Sequence, residues 1–189
     1  MPLSNRSVAI LAGILVSLFA LVAGEARGSA AVPDAGARAR AASVTQANEL
    51  EAPILAELNR VRRAHGLRPL KPSPRLALAA DAHLRALALA GQFRHEWPDG
   101  RRFDLWIRRF YPIGSARFWG VGENLIWNGD ALTPRQVVET WLASPPHRRV
   151  LLTPAWRELG IGAARAFGAD GVYAGADVVI AAAEFGARS

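Results

Sequence analysis

The chain has 189 residues, 51% of them apolar, and no cysteine. One domain with an ordinary core is within reach of this length, while disulfides, zinc–thiolate sites, a thiol nucleophile and a cysteine-anchored lipoprotein are excluded. The formal charge is +7 with Lys71 as the sole lysine, so the positive charge is almost wholly arginine; arginine suits anionic polymers, GC-rich coding produces the same bias, and no nucleic-acid motif occurs.

Arg6, the uncharged run Val8 to Gly24 and the small residues of "GEARGSAA" have the layout of a secretory signal peptide over residues 1–30. The run is 17 residues, short for a spanning helix. Cleavage is the expected outcome and an uncleaved N-terminal anchor the alternative. Both export the remainder, to the periplasm or the extracellular space. Residues 31–47 read as a linker with a helix start near Ser43 to Gln46, and the folded domain is expected over 48–189.

From Glu49 to His65, apolar Ile54, Leu55, Leu58 and Val61 recur at helical spacing, with Gly66 as the stop. Ser73 and Pro74 open a second helix, whose apolar face carries Leu76, Ala80, His83, Leu84, Leu87 and Ala88. Irregular chain follows, with a short helix expected at Asp104 to Phe110. "ENLIW", from Glu123 to Trp127, reads as a strand. Thr133 caps a third helix with Pro134 at its first position, and "SPPHRRVLL" starts a further helical turn. The tail then changes period: "LGIGAARA" and "ADVVIAAAEFG" are β-like runs, and Asp170–Gly171 between them is a hairpin signal. Helices first and antiparallel strands last make the class α+β.

Four histidines are available for chemistry. His65 reads as a capping or surface residue at a helix C-terminus, and His83 as a packed histidine with one satisfied nitrogen. His95 lies on irregular chain past a helix end, and Pro145 and Pro146 fix the backbone before His147; loop residues held this way are frequent carriers of function. Glu123 lies 28 residues after His95 and 24 before His147. Its neighbours Val121, Leu125, Ile126 and Trp127 read as buried, so this carboxylate needs a partner. The spacing alone is no metal motif, since HExxH is absent.

Four stretches taken in order carry a resemblance: "LNRVRRAHGLRPLKPSPRLALAADAHLRALALAGQFRH", "GVGENLI", "VVETWLASPPHRRVLLTPAWRELGIGAA" and "VIAAAEFG". Together they resemble the CAP superfamily of cysteine-rich secretory proteins, antigen 5 and pathogenesis-related proteins, and its bacterial SCP-like branch in particular. The resemblance spans about residues 50 to 186. It implies a three-layer α-β-α sandwich with a small antiparallel sheet and an accessible cleft. The family's two histidines fall at His95 and His147, and the Glu of its Gly-Glu-Asn motif at Glu123. In many members these groups bind a divalent metal, often zinc, so Zn²⁺ or another divalent ion is implied at His95, Glu123 and His147. Asn124 completes the motif and is expected to order the loop beside the cleft.

Two departures stand out. Eukaryotic members carry a second cleft glutamate shortly after the tryptophan matched by Trp141, where this chain reads "LASPP". Glu139, two positions before Trp141, is expected on another helix face. Glu184 stands where many bacterial relatives have Gln; a surface charge is the expectation and a replacement carboxylate the alternative.

No complete catalytic set is visible. Glu123 cannot readily act as both ligand and base, and Ser144 in "SPPH" reads as a helix N-cap. A non-enzymatic, exported binding module is therefore expected, holding a lipid, glycan, peptide or envelope component near Trp97, Trp119 or Trp127. The alternative is a metal-dependent hydrolase acting on peptides or cell-wall material. Membrane contact is expected only through an uncleaved N-terminal segment.

Overall fold

The computed structural model describes residues 43–129 and 132–189; the signal-peptide reading and residues 31–42 of the linker lie outside the described residues. In chain order the elements are β1 (Ser43–Gln46), α1 (Glu51–Ala64), β2 (Lys71–Pro72), α2 (Pro74–Leu89), α3 (Phe103–Ile107), β3 (Trp119–Asn128), α4 (Pro134–Ala143), α5 (Pro145–Leu151), β4 (Glu158–Ala169) and β5 (Ala176–Arg188). The sheet runs β1-β4-β5-β3 with antiparallel neighbours, and β2 adds a short parallel pairing to β4.

The central strand β5 is a continuous apolar run because both of its faces are covered, as the side-chain period of two requires. Val179, Ala181, Ala183 and Phe185 share a core with Leu58 of α1, Trp141 of α4 and Leu151 of α5. Val178, Ile180 and Ala182 point the other way, onto Ala80, Leu84 and Leu87 of α2. The result is the expected α-β-α sandwich.

Local chemistry sets the helix ends. Thr133 Oγ1 accepts from the Gln136 backbone N–H at 3.2 Å, and the Gln136 side chain accepts from the Thr133 N–H at 3.0 Å. This capping box starts α4 and contributes about 1 kcal/mol. Pro74 occupies the first turn of α2, and Gly91 at φ +62° follows its end. A close approach then seats α2 on the sheet. A Cβ at Gly160 of β4 would lie 2.1 Å from the Ala77 nitrogen, so only glycine lets the helix come this near.

Three expectations change. Ser43–Gln46 is a strand, not a helix start, and pairs with Ala164 to Phe167 of β4; the free edge of β4 supplies backbone partners that a helix start there would forgo. Among the described residues the sheet thus includes Ser43–Gln46, which precede the expected domain start at 48. The β4–β5 connection is not a two-residue turn at Asp170–Gly171. It contains a 3₁₀ turn at Gly171–Tyr173, anchored by the Tyr173 hydroxyl donating to the Gln92 carbonyl at 2.7 Å. The helix expected at 104–110 is the shorter α3.

Candidate functional site

Four segments converge on one carboxylate. β3 and β5 set Glu123 opposite Glu184 in register. Glu184 follows Ile180 and Ala182 on the face of β5 that packs against α2, and Leu125, two residues beyond Glu123, belongs to the same core. His83 lies on the buried stripe of α2, one turn before Leu87. His95 arrives from the loop after α2.

The contacts are short. Glu123 Oε2 lies 2.7 Å from His83 Nδ1, and Oε1 lies 2.6 Å from His95 Nδ1. The His83 and Glu123 side chains are 0% and 1% exposed, whereas His95 retains 15%, so the group meets solvent at His95. His83 Nε2 sits 3.2 Å from the Glu96 carbonyl, and the ring packs against Trp97 and Trp106 at centroid distances of 5.9 and 4.5 Å, the two indoles themselves meeting at 5.3 Å.

Burial opposes ionisation of Glu123, but the charge and hydrogen bonds of His83 and His95 outweigh it and hold its pKa well below the ordinary value. Glu184 is pushed the opposite way, first by burial and then by the charge of Glu123. Neither Glu184 oxygen has a donor among the described residues. A proton on Glu184, given to the Glu123 carboxylate, completes the pair. Burial also disfavours charge on His95, yet its hydrogen bond to Glu123 and that carboxylate's charge raise its pKa overall.

Successive residues of β3 serve opposite faces. Glu123 turns toward α2, while Asn124 Nδ2 donates to the backbone carbonyl of His147 on α5 at 3.0 Å. Asn124 thus orders the chain at His147, as expected. His147 is part-buried, and burial followed by the charge of His95 lowers its pKa, which keeps the ring neutral and able to act as a donor ligand.

The structure therefore joins His95 to Glu123 directly and brings His147 within electrostatic range of both. It also adds two residues. His83 is not a packed histidine with one partner, because both of its nitrogens face oxygens and one of these is Glu123. Glu184 is not a surface charge; it is fully buried. The signal for Glu184 was its place inside an unbroken apolar run, where neither strand face meets water. Glu139 points away as expected, 56% exposed and paired with Arg135 at 2.7 Å. Ser144 holds the N-cap position of α5 without a side-chain cap bond. Among the three tryptophans considered for the cleft, Trp97 stacks on His83. Trp119 is core, and Trp127 packs on Tyr173.

The model of the CAP family, described as the cysteine-rich secretory protein family, matches residues 55–177. The chain belongs to the CAP family. Its CAP domain is 30% identical over 105 residues to YkwD of Bacillus subtilis, an uncharacterized protein. That alignment takes in 55% of this chain but 38% of YkwD, so the chain spans well under half of that relative. An extracellular protein with an SCP domain from Bacillus anthracis shares the fold at a TM-score of 0.53 and 23% identity, over 73% of this chain and 40% of that one. An outer surface protein of Borrelia burgdorferi does so at 0.54 and 19%, over 72% and 90%. A cysteine-rich secretory protein of Staphylococcus aureus gives 0.50 and 18%, over 75% and 39%. No described helix is long and apolar enough to cross a membrane.

The metal set that the CAP resemblance implies, His95, Glu123 and His147, has suitable donor types. Among the described residues, however, the group whose ligand atoms all lie within 4.8 Å of one another is His83, Glu123 and Glu184. This second group could hold a metal ion. The implied set does not close around a single point in the same way.

Proposed function

We propose that this CAP domain is an exported binding module whose cleft opens at His95 and is flanked by His147. Its ligand is a lipid, glycan or peptide of the cell envelope. One observation carries this reading: a single buried carboxylate, Glu123, fixes His83 and His95 at 2.7 and 2.6 Å and leaves the edge of His95 exposed. A polar rim held by buried partners, with Trp97 behind it, suits recognition of a ligand by a preformed surface. Binding is favoured over hydrolysis because Glu123 and Glu184 are too deeply buried to take a proton from a substrate-bound water. Export is supported by the signal-like N-terminal sequence. Two of the similar solved structures are described as an extracellular and an outer surface protein, which accords with that reading.

The test is fractionation and co-sedimentation of the full chain. The protein is expected outside the cytoplasm, and purified protein is expected to sediment with isolated cell-wall sacculi or phosphatidylglycerol vesicles. His95→Ala and His147→Ala should each weaken that binding about fivefold or more, roughly 1 kcal/mol. Cytoplasmic retention, or unchanged binding in both variants, overturns the reading.

A further inference from the structure

We infer that His83, Glu123 and Glu184 form a divalent-metal site inside the domain, behind the cleft rather than within it. Three independent features of these residues point to a cation. The first is convergence, since one ligand atom from each lies within 4.8 Å of the other two. Three donors on one zinc ion, each about 2.0–2.1 Å away, lie about 3.3 Å from one another, so small side-chain adjustments suffice.

The second is Glu184 itself. It is fully buried, and both of its oxygens lack a donor among the described residues. A carboxyl group in that position is costly unless something compensates it. It is aimed at Glu123, across the paired strands, and at His83 on the helix above.

The third is the tautomer of His83. Its Nε2 faces the Glu96 carbonyl at 3.2 Å, and a carbonyl can only accept. In a metal-bound state a proton kept on Nε2 for that carbonyl would leave the Nδ1 lone pair for the ion, in place of the proton that otherwise joins Nδ1 to Glu123 Oε2 across 2.7 Å. A backbone carbonyl that fixes a histidine tautomer is the usual partner of a metal-bound imidazole. The carboxylate is divided to match: Oε1 takes the His95 hydrogen bond at 2.6 Å, which leaves Oε2 for the ion. One nitrogen and two carboxylates suit Zn²⁺ or Mn²⁺. Without the ion, a proton on Glu184 occupies the same gap, and metal binding displaces it.

This site shares Glu123 with the proposed cleft but uses neither His147 nor the exposed edge of His95, so the two readings can fail separately. The experiment is calorimetric titration of the full chain with Zn²⁺ alone, with bound metal counted by mass spectrometry. The wild type should take one ion per chain. Glu184→Gln and His83→Gln should each weaken binding about 100-fold, while His147→Ala stays within about threefold. Circular dichroism verifies that each variant is folded. X-ray absorption of the zinc-loaded wild type decides without any variant: one imidazole among oxygen donors is expected. Absence of Zn²⁺ binding by the folded wild type, unchanged binding in Glu184→Gln, or two imidazoles on the ion overturns the site. Failure of His95→Ala and His147→Ala to alter sedimentation overturns the cleft reading alone.

Discussion

Glu184 faces Glu123 across paired strands, and both carboxyl groups are buried against α2. Two carboxyls placed this way do not ionise together. Glu123 takes the charge because His83 and His95 both address it, and Glu184 keeps the proton. The stability and pH response of the domain follow from this asymmetry.

Glu184 has a pKa raised well above 4.5, so the folded state holds its proton more tightly than the unfolded chain. Its contribution is complete below about pH 4.5 and is lost as pH rises toward the folded value, at up to about 1.4 kcal/mol per pH unit. Gln at this position keeps an N–H for Glu123 and cannot ionise. Metal-free Glu184→Gln should therefore show a flatter stability profile than wild type between pH 5 and 9 in urea unfolding. Identical slopes would rule out a buried neutral Glu184.

Glu123 works in the other direction. Its folded pKa is lowered to about 2, so its stabilisation is present above 4.5 and disappears as pH falls through the folded value. Glu123→Gln removes the charge that two histidines share, and at pH 7 it should cost about 3–5 kcal/mol in chemical unfolding. The same change should lower the His95 pKa, because the carboxylate is what raises it. Proton NMR titration of the His95 ring checks this, and an unmoved midpoint counts against the assignment.

Gly160→Ala probes how closely α2 must lie. The added Cβ would meet backbone atoms of Leu76 and Ala77 at 2.1 Å, which no side-chain rotation can relieve. Overpacking of this kind should cost about 3 kcal/mol and displace His83 from Glu123. Gly129→Ala, where a Cβ meets nothing within 4 Å, is the control and should change stability by less than about 0.5 kcal/mol. Thermal melts of the two variants measure the contrast.

Asn124→Ala removes the donor to the His147 carbonyl. A loss of about 1–2 kcal/mol is expected for a buried hydrogen bond of this type. Freed from that restraint, His147 should bind less well at the cleft, while Zn²⁺ affinity at the inner site stays near wild type. Paired calorimetry and sedimentation on the one variant separate the two effects.

Much of the architecture was legible in local pattern. The apolar stripes of α1 and α2, the cap at Thr133, the proline in the first turn at Pro74, and the change of period after residue 158 each report on a few neighbouring residues, and each appears in the structure. His95, Glu123, Asn124 and His147 were also marked, through motif order and irregular or proline-fixed backbone. Ser43–Gln46 was misread because four residues form a strand only when another strand's edge lies beside them.

His83 and Glu184 were beyond a one-dimensional reading for the same reason. In the sequence Glu184 reads as a surface charge although the apolar run around it carries a signal for burial, and nothing local names its partner. The β3–β5 register puts Glu123 opposite it, and the glycine seat at Gly160 lets α2 bring His83 down onto both. Periodicity reports which face a residue takes; strand register and helix approach choose which charges meet there, and for this protein those choices made the site.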